Sequence, residues 1–178
     1  MARPPDPERR GRTLAQVADY LLEHGLEGVS LRPLAAALGT STRMLLYDFG
    51  SKEALLDEAL AEIRHRLAER LAELQSDRGD AATLEAVWEW VSADERVPFM
   101  RLFFETYVAA LNQPERGRPM VADWLGFLQT RWQPEGLDPA TATLFVAVIR
   151  GLLLDRLTAP DPERTDEALR RFVELVEA

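Results

Sequence analysis

Apolar residues recur at the three- and four-residue spacing of an α-helix along the whole chain, and no stretch alternates with a period of two over a useful length. This spacing predicts an all-α fold. With 178 residues, of which 47% are hydrophobic, the chain is long enough to bury a substantial core, as one domain or as two small ones. The absence of cysteine excludes disulfide bonds and thiolate metal sites.

The sequence carries no pattern typical of secretion or membrane insertion. Its start, MARPPDPERRGRT, lacks the apolar run of a secretory signal. The longest apolar stretch, TLFVAVIRGLLL, is shorter than the roughly 20 residues that a bilayer requires, and Arg150 interrupts it. We therefore expect a cytoplasmic protein with no membrane partner.

The first two helices are marked by capping residues and glycines. Thr13 and Gln16 have the spacing of a capping box, which predicts a helix beginning at Thr13 and ending at Gly25. Ser30 can cap a second helix, and Gly39 can end it. Both helices show an apolar stripe along one face.

A third helix is predicted from a cap at Ser41 to about Tyr47. Leu45 is expected to point inward, and the pattern leaves Leu46 open between the interior and the surface. A helix this short is marginal in water and forms only by packing on its neighbours. Its outward side is therefore what the local arrangement presents.

Longer helices follow. Ser51 can cap a fourth helix that connects the N-terminal part to the rest of the chain. Caps, prolines and charged breaks predict further helices over about Ala81–Ala93, Val97–Asn112, Pro119–Trp132, Pro139–Ala159 with Asp138 as cap, and Pro162–Glu177 with Asp161 as cap.

Three short helices with a tight glycine-containing turn between the second and third are typical of a helix-turn-helix, whose last helix can lie in the major groove of DNA. Short helical hairpins are also common in α-bundles that bind no DNA. Charge does not decide between these alternatives, because residues 1–56 sum to zero and the net charge of −9 lies entirely in residues 57–178.

The segment GTSTRMLLYDFGSKEALL resembles the signature of TetR-family transcriptional regulators. The matching residues are Gly39, Ser41, Leu45, Phe49, Ser51, Lys52, Glu53, Leu55 and Leu56, and the resemblance covers about the first 60 residues. It implies a helix-turn-helix DNA-binding domain over 1–60, joined by a long helix to a helical effector-binding and dimerisation domain over 61–178. It further implies a homodimer on a palindromic double-stranded DNA operator, commonly a repressor, that a small hydrophobic or aromatic effector releases, with no cofactor.

The candidates for reading base edges lie on the third helix. Arg43 can donate two hydrogen bonds to guanine, Thr42 can donate or accept one, and Met44 offers an apolar surface to a thymine methyl group. Leu46 stands where the family usually has tyrosine and completes this set.

The candidates for gripping phosphate surround that helix. The resemblance places Tyr47 and Lys52 at phosphate-contacting positions, together with the cap residue Ser41, and Lys52 lies in a helical first turn that favours an anion. Arginines before the first predicted helix would form a flexible basic arm suited to phosphate or the minor groove: Arg9, Arg10 and Arg12.

Asp48 departs from the family pattern, which often has a histidine or an aromatic residue at this position. A carboxylate facing phosphate would repel it. We therefore expect Asp48 to turn aside and to cap a backbone N–H or pair with a nearby arginine.

The helix predicted over Pro139–Ala159 is apolar nearly all round, so one face against its own chain cannot bury it. The resemblance implies a four-helix dimer interface from the last two helices of each subunit, while a buried core helix in a monomer is the alternative. The candidates for this interface are Phe145, Ile149, Leu152, Leu153, Leu169, Phe172 and Val176.

Aromatic residues are concentrated between positions 88 and 132 and could line a pocket for an apolar or aromatic effector, although most residues at helical spacing belong to plain core. The candidates for pocket walls are Phe103, Tyr107, Trp124, Trp88 and Phe127.

An enzyme and a helical adaptor are the alternatives to a DNA-binding regulator. An enzyme has little support, because His24 and His65 are far apart and fit no metal or triad spacing. An α-helical adaptor or dimerisation module, with the helix-turn-helix kept only as structure, is supported by Asp48 and by the neutral N-terminal segment.

Overall fold

The computed structural model describes residues 7–74, 80–112, 138–159 and 161–177. The described residues form helices and contain no strand, which confirms the all-α prediction. The helices are α1 (Pro7–His24), α2 (Leu31–Ala37), α3 (Thr42–Phe49), α4 (Lys52–Glu73), α5 (Asp80–Ser92), α6 (Val97–Asn112), α7 (Pro139–Thr158) and α8 (Pro162–Glu177), with a single 3₁₀ turn at Asp94–Arg96. The helix predicted over Pro119–Trp132 lies outside the described residues.

The chain divides into two compact units, residues 1–67 and 68–178, and the boundary falls within α4. The core of the first unit takes apolar side chains from each of its four helices. They are Val17, Ala18 and Leu21 of α1, Leu34 and Ala35 of α2, Leu45 and Phe49 of α3, and Leu55, Ala59, Ile63 and Leu67 of α4. The two-turn α3 thus exists because it packs on longer helices, as expected of a helix too short to be stable alone.

Helix α1 begins at Pro7, earlier than the capping-box pattern predicts. The Thr13 hydroxyl donates to the Arg9 carbonyl at 3.0 Å inside the helix rather than capping an N-terminus. Proline is favourable in a helical first turn, because its missing N–H would have no partner there. The predicted flexible arm is wrong for residues 9–12, which are helical.

In the second unit, α5 and α7 pack on α8, and α6 packs on α7. Buried apolar side chains from α5, α6, α7 and α8 form its core, among them Leu84, Val91, Leu102, Val146 and Val173. An edge-to-face pair between Phe145 and Phe172, with ring centroids 5.7 Å apart, joins α7 to α8.

The N-termini of α4, α7 and α8 are capped by the predicted residues. Ser51 Oγ accepts the Ala54 N–H at 3.0 Å at the start of α4. Asp138 Oδ1 accepts the Ala140 N–H at 2.9 Å at the start of α7, and Asp161 Oδ1 accepts the Arg164 N–H at 3.1 Å at the start of α8. Ser30 occupies the N-cap position of α2 but makes no side-chain cap hydrogen bond.

Among the described residues, no helix combines the length and the apolar character needed to cross a membrane.

Candidate nucleic-acid interface and ligand pocket

Helices α2 and α3 are joined by a tight turn. Gly39 adopts a φ of 64°, a left-handed conformation that side chains with a Cβ rarely adopt. The Gly39 N–H donates to the Ala36 carbonyl at 3.2 Å, and the Thr40 N–H donates to the Ala35 carbonyl at 2.9 Å. Ser41 Oγ then accepts the Met44 N–H at 3.2 Å and caps α3. This geometry is that of a helix-turn-helix.

One face of α3 is buried and the opposite face is accessible. Leu45 and Phe49 are 1% and 6% exposed. Four outward residues, Arg43, Met44, Leu46 and Tyr47, are exposed, and Thr42 at the first turn is partly so. The sequence pattern left Leu46 open between the interior and the surface, and the structure places it on the surface. The base-reading candidates share a single face.

The Arg43 side chain makes no hydrogen bond or ion pair with any described residue, so its five donors are available to a base edge or a phosphate. Lys52, in the first turn of α4, likewise has no ion pair within the described ranges. Ser41 uses an oxygen lone pair as a cap, which leaves its hydroxyl hydrogen to donate. Arg12 is also accessible, since its side chain is 68% exposed and its pair with Glu8 is long, at 3.7 Å.

Asp48 turns away from the exposed face, as predicted. Its Oδ1 accepts a hydrogen bond from Arg9 Nη2 at 2.6 Å, and its side chain is only 1% exposed. The other oxygen, Oδ2, is buried without a hydrogen-bond partner in the described ranges. This carboxylate therefore depends on Arg9 for its stabilisation, and it is not presented to DNA.

Arg10 joins three helices. Its Nε donates to the Asp48 carbonyl at 3.1 Å, and its Nη2 donates to both carboxylate oxygens of Glu58 at 2.7 Å. Its guanidinium carbon also lies 4.5 Å from the centroid of the Phe49 ring. Arg9 and Arg10 therefore hold α3 against α1 and α4, and the structure corrects their predicted role as phosphate ligands of a free arm.

The second unit contains an apolar cavity between α5, α6 and α7. Its void of about 30 Å³ is close to the volume of one water molecule. The lining residues are Leu84, Val87, Val91, Met100, Phe103, Phe145, Val146, Ile149, Arg150 and Leu153. Among the predicted pocket residues, Phe103 lines this cavity, and the Tyr107 ring lies next to Phe103 with centroids 4.9 Å apart.

A guanidinium group lies in this apolar wall. The Arg150 Nε and Nη2 atoms are buried, and neither has a hydrogen-bond partner in the part of the chain that is described. Its guanidinium carbon lies 4.5 Å from the Tyr107 ring centroid and 6.0 Å from that of Phe103. Burial lowers the pKa of the Arg150 guanidinium and raises the pKa of the Tyr107 phenol.

Trp88 does not line this cavity. Its indole Nε1 donates to Asp166 Oδ1 at 2.8 Å, and the same carboxylate oxygen accepts from Arg156 Nη1 at 2.7 Å. Trp88 thus ties α5 to α8, and it lines a separate pocket together with Arg156 and Asp166, so its role in effector binding stays a prediction. The other two candidates, Trp124 and Phe127, lie outside the described residues.

Helix α7 has one buried face and one exposed face. Four of the predicted interface residues are already buried by their own chain: Phe145 (2% exposed), Ile149 (7%), Leu153 (4%) and Leu169 (2%). They have almost no surface left for a partner, so the structure corrects their assignment. Of the other three, Leu152 and Phe172 are partly exposed and Val176 is 45% exposed.

The opposite face of α7 carries apolar residues that sequence reasoning missed. Leu144 and Leu154 are 52% and 47% exposed, and Leu175 of α8 is 63% exposed. Ala147 and Gly151 lie between the two leucines at three- and four-residue spacing, and both are exposed. No sequence signal identifies this face, because α7 is apolar on both sides. Arg150 could have been found, since a lone charge in an apolar helix is costly without a function.

Three comparisons with known proteins agree with this geometry. The sequence model of the family described as "Bacterial regulatory proteins, tetR family" matches residues 16–59, which include α2 and α3. The HTH-type transcriptional regulator BetI of Stenotrophomonas maltophilia (strain R551-3) is 26% identical over 117 residues. That match covers 64% of this chain and 60% of the relative, so the chain spans less than two thirds of that protein's length.

Two solved structures extend the likeness beyond the N-terminal unit. SCO7518 from Streptomyces coelicolor A3(2) is 29% identical with a TM-score of 0.74, covering 94% of this chain and 99% of that one. The multidrug binding protein EbrR, complexed with proflavin, is 27% identical with a TM-score of 0.66, covering 92% of this chain and 98% of that one. Together with the helix-turn-helix geometry of α2 and α3, these matches support a TetR-family transcriptional regulator.

Proposed function

We propose that this regulator binds an inverted-repeat DNA operator as a homodimer in the cytoplasm, represses transcription there, and leaves the operator when a small molecule enters its C-terminal unit. The observation that carries the proposal is the outward face of α3, where Thr42, Arg43, Met44 and Leu46 share one accessible side of a helix whose other side is buried. The likeness to TetR-family proteins supports a transcriptional regulator rather than an enzyme.

Base contacts and phosphate contacts divide between different residues in this proposal. Arg43 reads a guanine, and Thr42, Met44 and Leu46 contact neighbouring base edges or methyl groups. Ser41, Tyr47, Lys52 and Arg12 contact phosphates, which position the duplex without selecting its sequence. Arg9 and Arg10 contribute indirectly, by fixing the orientation of α3.

The pairing of Asp48 with Arg9 also bears on the alternative of an adaptor without DNA binding. A carboxylate on the DNA-facing side supported that alternative, because it would repel phosphate. Since the Asp48 side chain is 1% exposed and bonded to Arg9, this support is lost.

The proposed dimer forms through the apolar outer face of α7 and the adjoining flank of α8. Leu144, Leu154, Leu175 and Val176 are each at least 45% exposed in a single chain, and Phe172 lies beside them on α8. Exposed apolar side chains concentrated on one face are typical of a protein interface. To bind an inverted repeat, the dimer must present its two copies of α3 about 34–36 Å apart, one turn of B-form DNA.

The proposed effector enters the cavity that Phe103 and Arg150 line. The void of about 30 Å³ is too small for a drug-sized molecule, so binding requires the walls between α5, α6 and α7 to move. A ligand that favours the opened arrangement lowers operator affinity by the same factor by which DNA lowers ligand affinity.

In-vitro selection of double-stranded DNA by the purified protein tests the reading head, the symmetry and the spacing together. Recovery of an inverted repeat with half-sites about one helical turn apart is expected. Binding of the selected site should weaken steeply as salt is raised, because phosphate contacts release counterions. Recovery of no enriched sequence, with no salt-dependent binding, would favour the adaptor.

A further inference from the structure

Two of the three guanidinium nitrogens of Arg150, Nε and Nη2, are buried, and the fold does not explain their position. This side chain lies in the middle of α7, among the apolar residues that line the cavity, such as Leu84, Val87 and Val146. The opposite face of the same helix is accessible, so an arginine at position 147, 151 or 154 would reach water. A charged side chain at this inward position costs stability unless it has a partner.

The described residues supply no such partner. The buried Nε and Nη2 atoms make no hydrogen bond, and the guanidinium forms no ion pair within the described part of the chain. The contacts that offset its charge are the faces of the Tyr107 and Phe103 rings. Aromatic faces stabilise a cation, but they accept no hydrogen bond comparable to that of an oxyanion.

Tyr107 adds a second unused donor at the same place. Its hydroxyl oxygen is buried and has no hydrogen-bond partner among the described residues, and the guanidinium carbon lies 4.5 Å from the centroid of its ring. Burial raises the pKa of this phenol, so that it stays protonated and able to donate. Arg150 lines the cavity, and Tyr107 lies against Arg150 and Phe103, so the two donors together match an acceptor that carries negative charge.

We propose that Arg150 and Tyr107 form the polar end of the effector site, and that the effector is a monocarboxylate with an apolar aromatic or aliphatic body. The guanidinium fork pairs with both oxygens of the carboxylate, the Tyr107 hydroxyl donates to one of them, and the apolar residues receive the body. This inference rests on the proposed function, because it names the effector class of the same cavity.

The charge balance favours a carboxylate over a phosphate and over a cation. One guanidinium neutralises one negative charge, whereas the second charge of a phosphate monoester would remain buried and unpaired. An amine or a quaternary ammonium would be repelled by Arg150 and would leave both donors unsatisfied. The void must widen to admit the body, and the flexible side chain of Met100 lies in the wall that has to move.

Titration calorimetry of the purified full-length protein tests the proposal with probes matched in shape. The probes are 3-phenylpropionate, 3-phenylpropanol and 3-phenylpropylamine, together with the straight-chain carboxylates, alcohols and amines of four to twelve carbons. We expect the best carboxylate to bind at least about tenfold more tightly than its alcohol and amine counterparts. Equal affinity for the three head groups, or no carboxylate binding up to the solubility limit, overturns the proposal.

Two variants and a matched control locate the effect. Arg150→Met should abolish the preference for carboxylates while the unliganded protein melts at the same or a higher temperature, because an unpaired buried charge is removed. Arg156→Met, on the same helix, should melt lower and keep the preference, since Arg156 is paired with Asp166 at 2.7 Å. A large drop in melting temperature for Arg150→Met with selectivity retained would assign Arg150 a structural role and overturn the proposal.

Tyr107→Phe keeps the ring and removes only the hydroxyl, so it provides a test even if Arg150→Met does not fold. It should lower carboxylate affinity several-fold without changing alcohol affinity, and an unchanged affinity for both overturns the role of the hydroxyl and with it the two-donor site.

Operator binding separates this inference from the proposed function. If the wild-type protein binds no selected DNA but still prefers carboxylates, the proposed function fails and the site stands. If the protein binds the selected DNA but shows no preference for carboxylates, the operator-binding part of the proposed function stands and the carboxylate site fails.

Discussion

Replacing Arg9 by methionine removes the hydrogen bond to a carboxylate that has almost no access to water. The Asp48 side chain is 1% exposed, its Oδ1 accepts a hydrogen bond from Arg9 Nη2 at 2.6 Å, and its Oδ2 has no hydrogen-bond partner in the part of the chain that the structure describes. In Arg9→Met the negative charge therefore remains buried without its cation. Methionine keeps the length and the apolar stem of the arginine, so that the change tests the charge rather than the packing.

The magnitude follows from the burial of the pair. Removing one member of a buried ion pair costs about 3–5 kcal/mol, because the remaining charge is left uncompensated. The Arg9 side chain is 34% exposed, so solvent already screens part of the interaction, and we expect a loss of about 2–4 kcal/mol. Arg12→Met is the control on the same helix: its pair with Glu8 is exposed and 3.7 Å long, and its loss should cost less than about 0.5 kcal/mol.

The free energy of unfolding is measured by urea denaturation at one fixed protein concentration, since dimerisation would otherwise shift the transition. A second substitution tests the cause. Arg9→Met combined with Asp48→Asn should be more stable than Arg9→Met alone, because a neutral amide costs less to bury than a carboxylate. If Arg9→Met and Arg12→Met are equally mild, or if Asp48→Asn brings no recovery, the pair does not anchor α3 and the reasoning is refuted.

Three further predictions follow from the same structure. Arg43→Ala should relax the preference at one base pair of each half-site by about 1–3 kcal/mol, because a two-donor contact to guanine is lost, whereas Lys52→Ala should weaken all sequences alike. Competition with single-base variants of the selected operator distinguishes these effects, and a uniform loss in both variants would contradict the assignment of Arg43. Leu144→Glu combined with Leu175→Glu should halve the sedimenting mass, since both residues lie on the proposed interface, while Leu46→Glu places a charge on another exposed apolar site and should leave the mass unchanged. An unaltered mass in the double variant would place the interface elsewhere. Ser51→Ala should lower the free energy of unfolding by about 1 kcal/mol, because the Ala54 N–H loses its cap, whereas Ser30→Ala should cost only a few tenths, since Ser30 makes no cap hydrogen bond. Equal costs in urea denaturation would show that these cap geometries do not govern the stability of the two helices.

Short-range chemistry accounts for the features that were predicted correctly. Ser41, Ser51, Asp138 and Asp161 each accept an N–H two or three residues further on, so the information for these helix starts lies within one turn. Gly39 likewise acts locally, through a left-handed φ that favours glycine. The recognition segment could therefore be located without knowledge of the tertiary structure.

Predictions failed where a residue's partner is distant in the chain. The capping-box pattern predicts that α1 starts at Thr13, but the helix already begins at Pro7. Arg9 and Arg10 in this earlier part form hydrogen bonds with residues of α3 and α4 that lie about 40 or more positions further along the chain. Nothing within a window of one helix indicates that Arg9 meets Asp48. Of the two partners expected for Asp48, a backbone N–H or a nearby arginine, the structure shows an arginine, and no short-range pattern indicates which arginine it is.

By itself, the sequence determined an all-α chain, the caps and glycine stop of its helix-turn-helix, and the side of α3 that faces outward, because each depends on residues within a few positions of one another. Only the tertiary structure decided which side of α7 is core and which is free, that Trp88 braces two helices, and that Arg150 lies unpaired in an apolar wall. The physical reason is that a helix with apolar residues all round has no preferred side until other helices pack against it.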